Sequence, residues 1–144
     1  MKKILFSLLF LGVSNSTFIY CVDKNIDDIL LNLNRKSHKE MVINKIIQIE
    51  SEGNPNAVGD SGSAIGLLQI RPIMVKEVNR LLGEQRYTLE DRWCPKKSVE
   101  IFKDYQNIVN PEWDEELAAK RWNGGIRGGR NPKTIKYYKK YQAL

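Results

Sequence analysis

The sequence predicts a mainly α domain, on three observations. Apolar residues recur at helical spacing from end to end, alternating strand patterns are nearly absent, and glycines and Asn-Pro pairs punctuate the helical stretches. Only the stretch from Arg86 to Arg92 is ambiguous. With 144 residues, 42% of them hydrophobic, the chain can bury a core without disulfide or metal staples.

The first segment is of a different kind. Lys2 and Lys3 precede a ten-residue apolar run, Ile4 to Val13, followed by Ser14, Asn15, Ser16 and Thr17. A basic start, a short apolar core and small polar residues describe a secretory signal peptide, assigned to residues 1–21, with the domain over 22–144. The run is shorter than the ~20 residues that span a bilayer, which argues against a retained membrane anchor. Tyr20 before Cys21 argues against a lipoprotein signal, which needs a small residue there. The expected location is the periplasm or the cell exterior.

Ile26, Ile29, Leu30 and Leu33 then predict a first short helix. A second runs from Met41 to Ser51 and stops at Gly53-Asn54-Pro55. Gly66 opens a strong apolar segment (Leu67, Leu68, Ile70, Ile73, Val75, Val78, Leu81, Leu82) that Gly83 closes, with Pro72 either in an early turn or dividing it. Val99, Ile101, Phe102, Tyr105 and Ile108 mark another amphipathic helix. Asn110-Pro111 and Asn131-Pro132 each offer an Asn N-cap with Pro at the first helical position. Asn123-Gly124-Gly125 ends the helix that carries Trp113, Leu117 and Trp122.

Glu50 is the residue whose placement most suggests chemistry. Val42, Ile43, Ile46, Ile47 and Ile49 fill one broad arc of their helix, and Glu50 falls within it, in register with Ile43 and Ile47. A carboxyl pressed against packed isoleucines loses hydration, which disfavours its charged form and raises its pKa. A glutamic acid kept protonated in this way can donate a proton near neutral pH. The same spacing also fits a helix-end glutamate that bends out to water.

The charge balance is +6 and the excess collects at the C-terminal end. From Leu117 onward there are eight basic residues (Lys120, Arg121, Arg127, Arg130, Lys133, Lys136, Lys139, Lys140) and no acidic one. Trp122, Tyr137, Tyr138 and Tyr141 are interleaved with them. The pattern is compatible with nucleic acid, but an anionic surface polymer is the simpler partner for an exported protein, and a solvated helix face is the plain alternative. Cys21 and Cys94 are the only cysteines and His38 the only histidine, too few for a disulfide framework or a ligand cluster. No metal and no cofactor is implied.

Three segments belong together: Glu50-Ser51-Glu52-Gly53-Asn54-Pro55-Asn56-Ala57, then Gly62-Ser63-Ala64-Ile65-Gly66-Leu67-Leu68-Gln69-Ile70, then Ala118-Ala119-Lys120-Arg121-Trp122-Asn123-Gly124-Gly125. In this order and at these separations the chain resembles the lysozyme-like lytic transglycosylase family, the group built on the soluble lytic transglycosylase catalytic domain. The likeness runs from about His38 to Tyr141. It implies a lysozyme-like helical domain with a substrate cleft between two lobes. It also implies that Glu50 is a single catalytic acid and base, and that Ser51 helps fix the helix end and the carboxyl. Gly66-Leu67-Leu68-Gln69 is similar to the family's Gly-Leu-Met-Gln, whose glutamine lines the sugar cleft. Trp122-Asn123 stands where the family usually has Tyr-Asn, and Thr134 with Tyr137 resembles a segment that brings a tyrosine toward the acid.

There are departures. Trp122 keeps an aromatic face but lacks the hydroxyl, and Gly59-Asp60 occupies the stretch where many members carry a serine nine residues after the glutamate. The loop to Gly66 is one residue longer. On their own chemistry, Gln69, Trp122, Asn123 and Tyr137 are the side-chain types that sugar clefts use, aromatic faces for pyranose rings and amides or hydroxyls for polar groups. Each also has an ordinary role: Gln69 as an exposed helix residue, Asn123 capping a helix end, Trp122 and Tyr137 in the core.

Most glycosidases use two carboxylates. Glu52 points to another side of the helix and Asp60 lies on a loop, so a single-acid mechanism fits better. The resemblance implies cleavage of the bond between N-acetylmuramic acid and N-acetylglucosamine in peptidoglycan, with a 1,6-anhydro product. Three rivals stay open: a muramidase in which Asp60 positions water, a non-catalytic peptidoglycan-binding or secretion-assembly protein, and a basic nucleic-acid-binding domain supported only by the tail. Peptidoglycan strands are the expected partner, with no nucleic acid and no stable membrane span. The small size would also suit a helper of a secretion or conjugation apparatus, or a phage-derived enzyme.

Overall fold

A computed structural model describes the backbone of residues 15–144 and the side chains from Asp28 onward. The chain divides into two units, Met1–Ser37 and His38–Leu144. The assigned signal segment lies outside the described residues except for the helical backbone of its last part. No helix among the described residues is long and apolar enough to cross a membrane.

The elements in order are α1 (Asn15–Ser51), β1 (Val58–Gly59), β2 (Ala64–Ile65), α2 (Pro72–Leu82), α3 (Pro95–Val109), α4 (Glu115–Gly124) and α5 (Ile135–Gln142), with short 3-10 turns between several of them. The domain is mainly α, as its periodicity predicts. The two helices expected before Gly53 are one continuous helix, because nothing between Leu33 and Met41 breaks it: neither glycine nor proline occurs there. In the first unit Ile29, Leu30, Leu31 and Leu33 stand about half exposed or more.

In the second unit one core joins Val42, Ile43 and Ile46 of α1 to Val75 and Val78 of α2, Ile101, Phe102 and Tyr105 of α3, Ala118, Ala119 and Trp122 of α4, and Tyr141 of α5. Fully burying side chains such as Ile46 or Phe102 contributes about 1.5–3 kcal/mol each. Phe102 lies edge-on to Trp122 at 4.8 Å and to Trp113 at 6.1 Å, geometry that adds to the burial.

Pro72 divides the apolar segment: it opens α2 as its first residue, and Gly83 closes that helix in the left-handed conformation at φ 74°. Asn131 caps the turn before α5, its side chain accepting from the Lys133 amide at 3.0 Å. The matching expectation at Asn110 does not hold. Asn110 terminates α3, and its amide and carbonyl groups instead brace the turn that follows, donating to the Asp114 carbonyl at 2.9 Å and accepting from the Asp114 amide at 3.1 Å. Asp114 is the true cap of α4, accepting from Leu117 N at 2.8 Å, so Trp113 precedes the helix. A carboxylate four residues later served the cap better, with Glu115 and Glu116 adding favourable charge in the first turn.

Candidate active site

The C-terminal end of α1 is pinned where Glu50 projects. Ser51 Oγ donates to the Leu67 carbonyl at 2.7 Å, which ties the last turn to the glycine-rich loop. Glu52 and Gly53 then take positive φ and turn the chain away. The loop returns as a small antiparallel pair, Val58 opposite Ile65 and Gly59 opposite Ala64, extended by a bridge between Ile65 and Ile70. Gly66 sits at φ 77° with its α-carbon against the Arg92 carbonyl, where a side chain would collide with backbone. Arg92 is buried and donates to the carbonyls of Leu89 (2.7 Å), Ser63 (3.3 Å) and Ile70 (3.4 Å), so it staples this loop to the body.

A groove of about 640 Å³ opens beside this loop, and Glu50, Gln69, Trp122, Asn123 and Tyr137 all line it. Four widely separated segments are thus brought to one place. Ser51 is not among the lining residues; its hydroxyl is spent on the backbone. Gln69, held at φ 48°, donates its amide to the Ala57 carbonyl at 3.1 Å and the Gly66 carbonyl at 3.0 Å, which leaves its Oε1 as the free acceptor. Gly59 lets that amide lie close, since any β-carbon there would strike Gln69 Oε1. A serine at this position would displace the glutamine.

Trp122 is only 7% exposed and packs edge-on against Phe102 and Tyr105. It is a core residue with one edge on the groove, not an open stacking face. Asn123, in contrast, is exposed, and among the described residues its side chain makes no hydrogen bond. Gly124 lies against Thr134, and the buried Thr134 hydroxyl donates to the carbonyls of Gly128 and Asn131 at 2.9 and 2.7 Å, which sets the start of α5. That helix carries Tyr137, whose hydroxyl donates to Glu50 Oε1 at 2.7 Å.

Glu50 is part-buried, and loss of hydration is the largest influence on it, raising its pKa above the ordinary carboxylate value. The Tyr137 hydrogen bond, the charge of Arg71 and the Trp122 indole pull the other way without reversing the shift, and Asp60 adds a small upward push. Its place in the last turn of α1, where the helix dipole is negative and no basic residue stands, also favours the neutral acid. Burial, then the neighbouring Glu50, raises Tyr137 far above the usual phenol, so it remains a hydrogen-bond donor.

Two other carboxylates line the groove. Asp60 is bonded to Arg71, whose Nε donates to Oδ2 at 2.7 Å and whose Nη2 also bonds it, and Glu77 accepts from Arg80 at 2.8 Å. Neither shares the apolar setting of Glu50. Arg71, Glu77 and Arg127 also line the groove, as does Tyr105, whose pKa burial raises to about 12. Sequence reading passed over these four as site residues. Arg71 alone left a signal, a charged residue wedged between the apolar Ile70 and Pro72-Ile73. Among the described residues no three His, Cys, Asp or Glu are grouped to hold a metal. The arrangement can deliver one proton into the groove and take one back.

Residues 29–144 match the family model described as transglycosylase SLT domain. The chain is also similar to the membrane-bound lytic murein transglycosylase E of Buchnera aphidicola subsp. Acyrthosiphon pisum (strain APS), 38% identical over 93 residues. That stretch is 62% of this chain and 42% of the relative, so the chain spans less than half of the protein it matches. No solved structure matches it significantly. With the family model covering most of its length, the chain belongs to the transglycosylase SLT domain family.

Proposed function

We propose that this domain is a peptidoglycan lytic transglycosylase in which Glu50 acts alone as acid and then as base. The observation that carries the reading is a part-buried glutamic acid, raised in pKa and held by Tyr137, in a groove whose other carboxylates are paired to arginines. Protonated Glu50 gives its proton to the oxygen of the β-1,4 bond between N-acetylmuramic acid and N-acetylglucosamine. The substrate's own N-acetyl group stabilises the sugar cation. The Tyr137 hydroxyl supports the carboxylate left behind, a charge-assisted bond stronger than a neutral one. Ionised Glu50 then removes the proton of the muramoyl 6-hydroxyl, and ring closure gives the 1,6-anhydro product.

Gln69 Oε1 and the Asn123 amide supply polar contacts to the sugars, and Trp122 stiffens the wall behind Glu50. Ser51 acts indirectly, by fixing the helix end on which Glu50 stands. Export to the periplasm or cell exterior accords with the substrate, and the basic C-terminal segment suits an anionic wall polymer. Work alongside a secretion or conjugation apparatus would give such an enzyme its setting. The direct experiment is incubation of the protein with purified peptidoglycan. Release of soluble muropeptides is expected; intact glycan after exhaustive incubation, with the protein bound to it, would make this a binding protein instead.

A further inference from the structure

The Asp60–Arg71 pair is poorly explained by stability. Both partners are about half exposed, at 49% and 58% of their side chains, where ion pairs contribute little. Yet the turn that presents Asp60 is strained: Asp60 and Ser61 hold positive φ of 49° and 55° one after the other. Both side chains also line the Glu50 groove. The Arg71 backbone is fixed between buried Ile70 and Pro72 at the start of α2, which roots its side chain at the rim of the groove. Of the charges acting on Glu50, that of Arg71 is the strongest.

We propose that Asp60 is a positioning residue that acts through Arg71, parking the guanidinium on the loop so that it does not pair with Glu50 and strip it of its proton. The inference rests on the reading of Glu50 as the acid. An unparked arginine is the natural partner of a carboxylate and would hold it ionised. The other groups that face Glu50 leave this role to Asp60. Tyr137 and Lys140 come from α5, Glu77 is engaged by Arg80, Tyr105 is a neutral phenol on α3, and Arg127 comes from the turn after α4. None of them bonds Arg71.

Asp60→Asn is the test variant, because asparagine tolerates the left-handed conformation and should preserve the turn. The Glu50 carboxyl is followed by carbon-13 NMR titration in the wild type, Asp60→Asn, Arg71→Gln and the double variant, with Glu50→Gln to assign the signal. The alkaline limb of glycan cleavage is measured on the same proteins. Asp60→Asn should move the Glu50 titration and the alkaline limb acidward by on the order of 1 pH unit. Arg71→Gln should move both upward, and in its background Asp60→Asn should have almost no further effect. An unmoved Glu50 titration in Asp60→Asn, or the same acidward shift with and without Arg71, overturns the proposal. The titration reads out without turnover. A protein that titrates as expected but cuts no glycan would defeat the proposed function and leave the parking of Arg71 standing.

Discussion

Helix α5 makes the same bond twice, four residues apart, to two different ends. Tyr137 donates to Glu50 at 2.7 Å and Tyr141 donates to Glu115 at 2.8 Å. Glu50 ends α1, with the negative pole of the helix behind it and apolar side chains around it. Glu115 begins α4, where the dipole favours a charge, and has Lys45 at 4.0 Å. Lys45 also lies over the Tyr141 ring at 4.8 Å. The first contact holds a carboxyl whose burial favours the neutral acid although the Tyr137 bond itself pulls the other way, and the second braces two helices. The pair does not define the chemistry; the surroundings do, and at Glu50 burial is the largest influence.

The largest expected effect removes the acid. Glu50→Gln keeps the volume and can still accept from Tyr137, but an amide cannot donate the proton, so cleavage should fall at least ~100-fold. Stability should hold or rise. A carboxyl whose folded pKa is raised contributes most below its unfolded pKa, and that contribution is lost as pH rises through the folded value. The variant should therefore gain on the wild type in thermal melts above that range, and lose against it below. A variant that melts lower at neutral pH would show that the carboxylate is stabilised in place and would break the contrast with Glu115.

Gly66→Ala should come next, through the wall that buries Glu50. A methyl group at φ 77° meets the Arg92 carbonyl, and strain with overpacking should cost about 3 kcal/mol or more. Denaturant melts measure it, and a near-neutral result would mean that the loop yields without moving Gln69. The two tyrosines then divide the comparison. Tyr137→Phe should lower cleavage about tenfold and move the alkaline limb upward, since its hydrogen bond lowers the Glu50 pKa. Tyr141→Phe should leave cleavage unchanged and cost about 1 kcal/mol of stability. Equal effects of both on activity would erase the distinction. Smallest of all, Lys136→Gln with Lys139→Gln should weaken wall binding only at low ionic strength, because both are exposed and salt screens them.

Much of the groove was legible in the chain before folding. Glu50, Gln69, Trp122, Asn123 and Tyr137 sit in short motifs whose types and order carry information, and all five line one groove. The helices were legible wherever apolar periodicity met a cap. What escaped depended on alternatives that local pattern cannot rank. Asn110-Pro111 is a sound N-cap until Asp114 takes that role and Asn110 becomes a turn brace. The Asp60–Arg71 bond depends on two residues with positive φ, which no periodicity announces. Ser51, expected to help fix the helix end, lies a step of about 100° around the helix from Glu50 and bonds the Leu67 carbonyl, a partner that local pattern does not name. Trp122 combines the two roles considered for it, since it packs in the core with one edge on the groove.

The measurement that bears most directly on a single acid is the mass of the product. Peptidoglycan digested by the protein and resolved by mass spectrometry should yield muropeptides ending in 1,6-anhydro-N-acetylmuramic acid, one water lighter than hydrolysis would give. That outcome requires the substrate's own 6-hydroxyl, and not water, to close on the sugar, as the single-acid mechanism has it. Reducing ends carrying the extra water, lost on Asp60→Asn, would assign Asp60 to water activation and contradict the account.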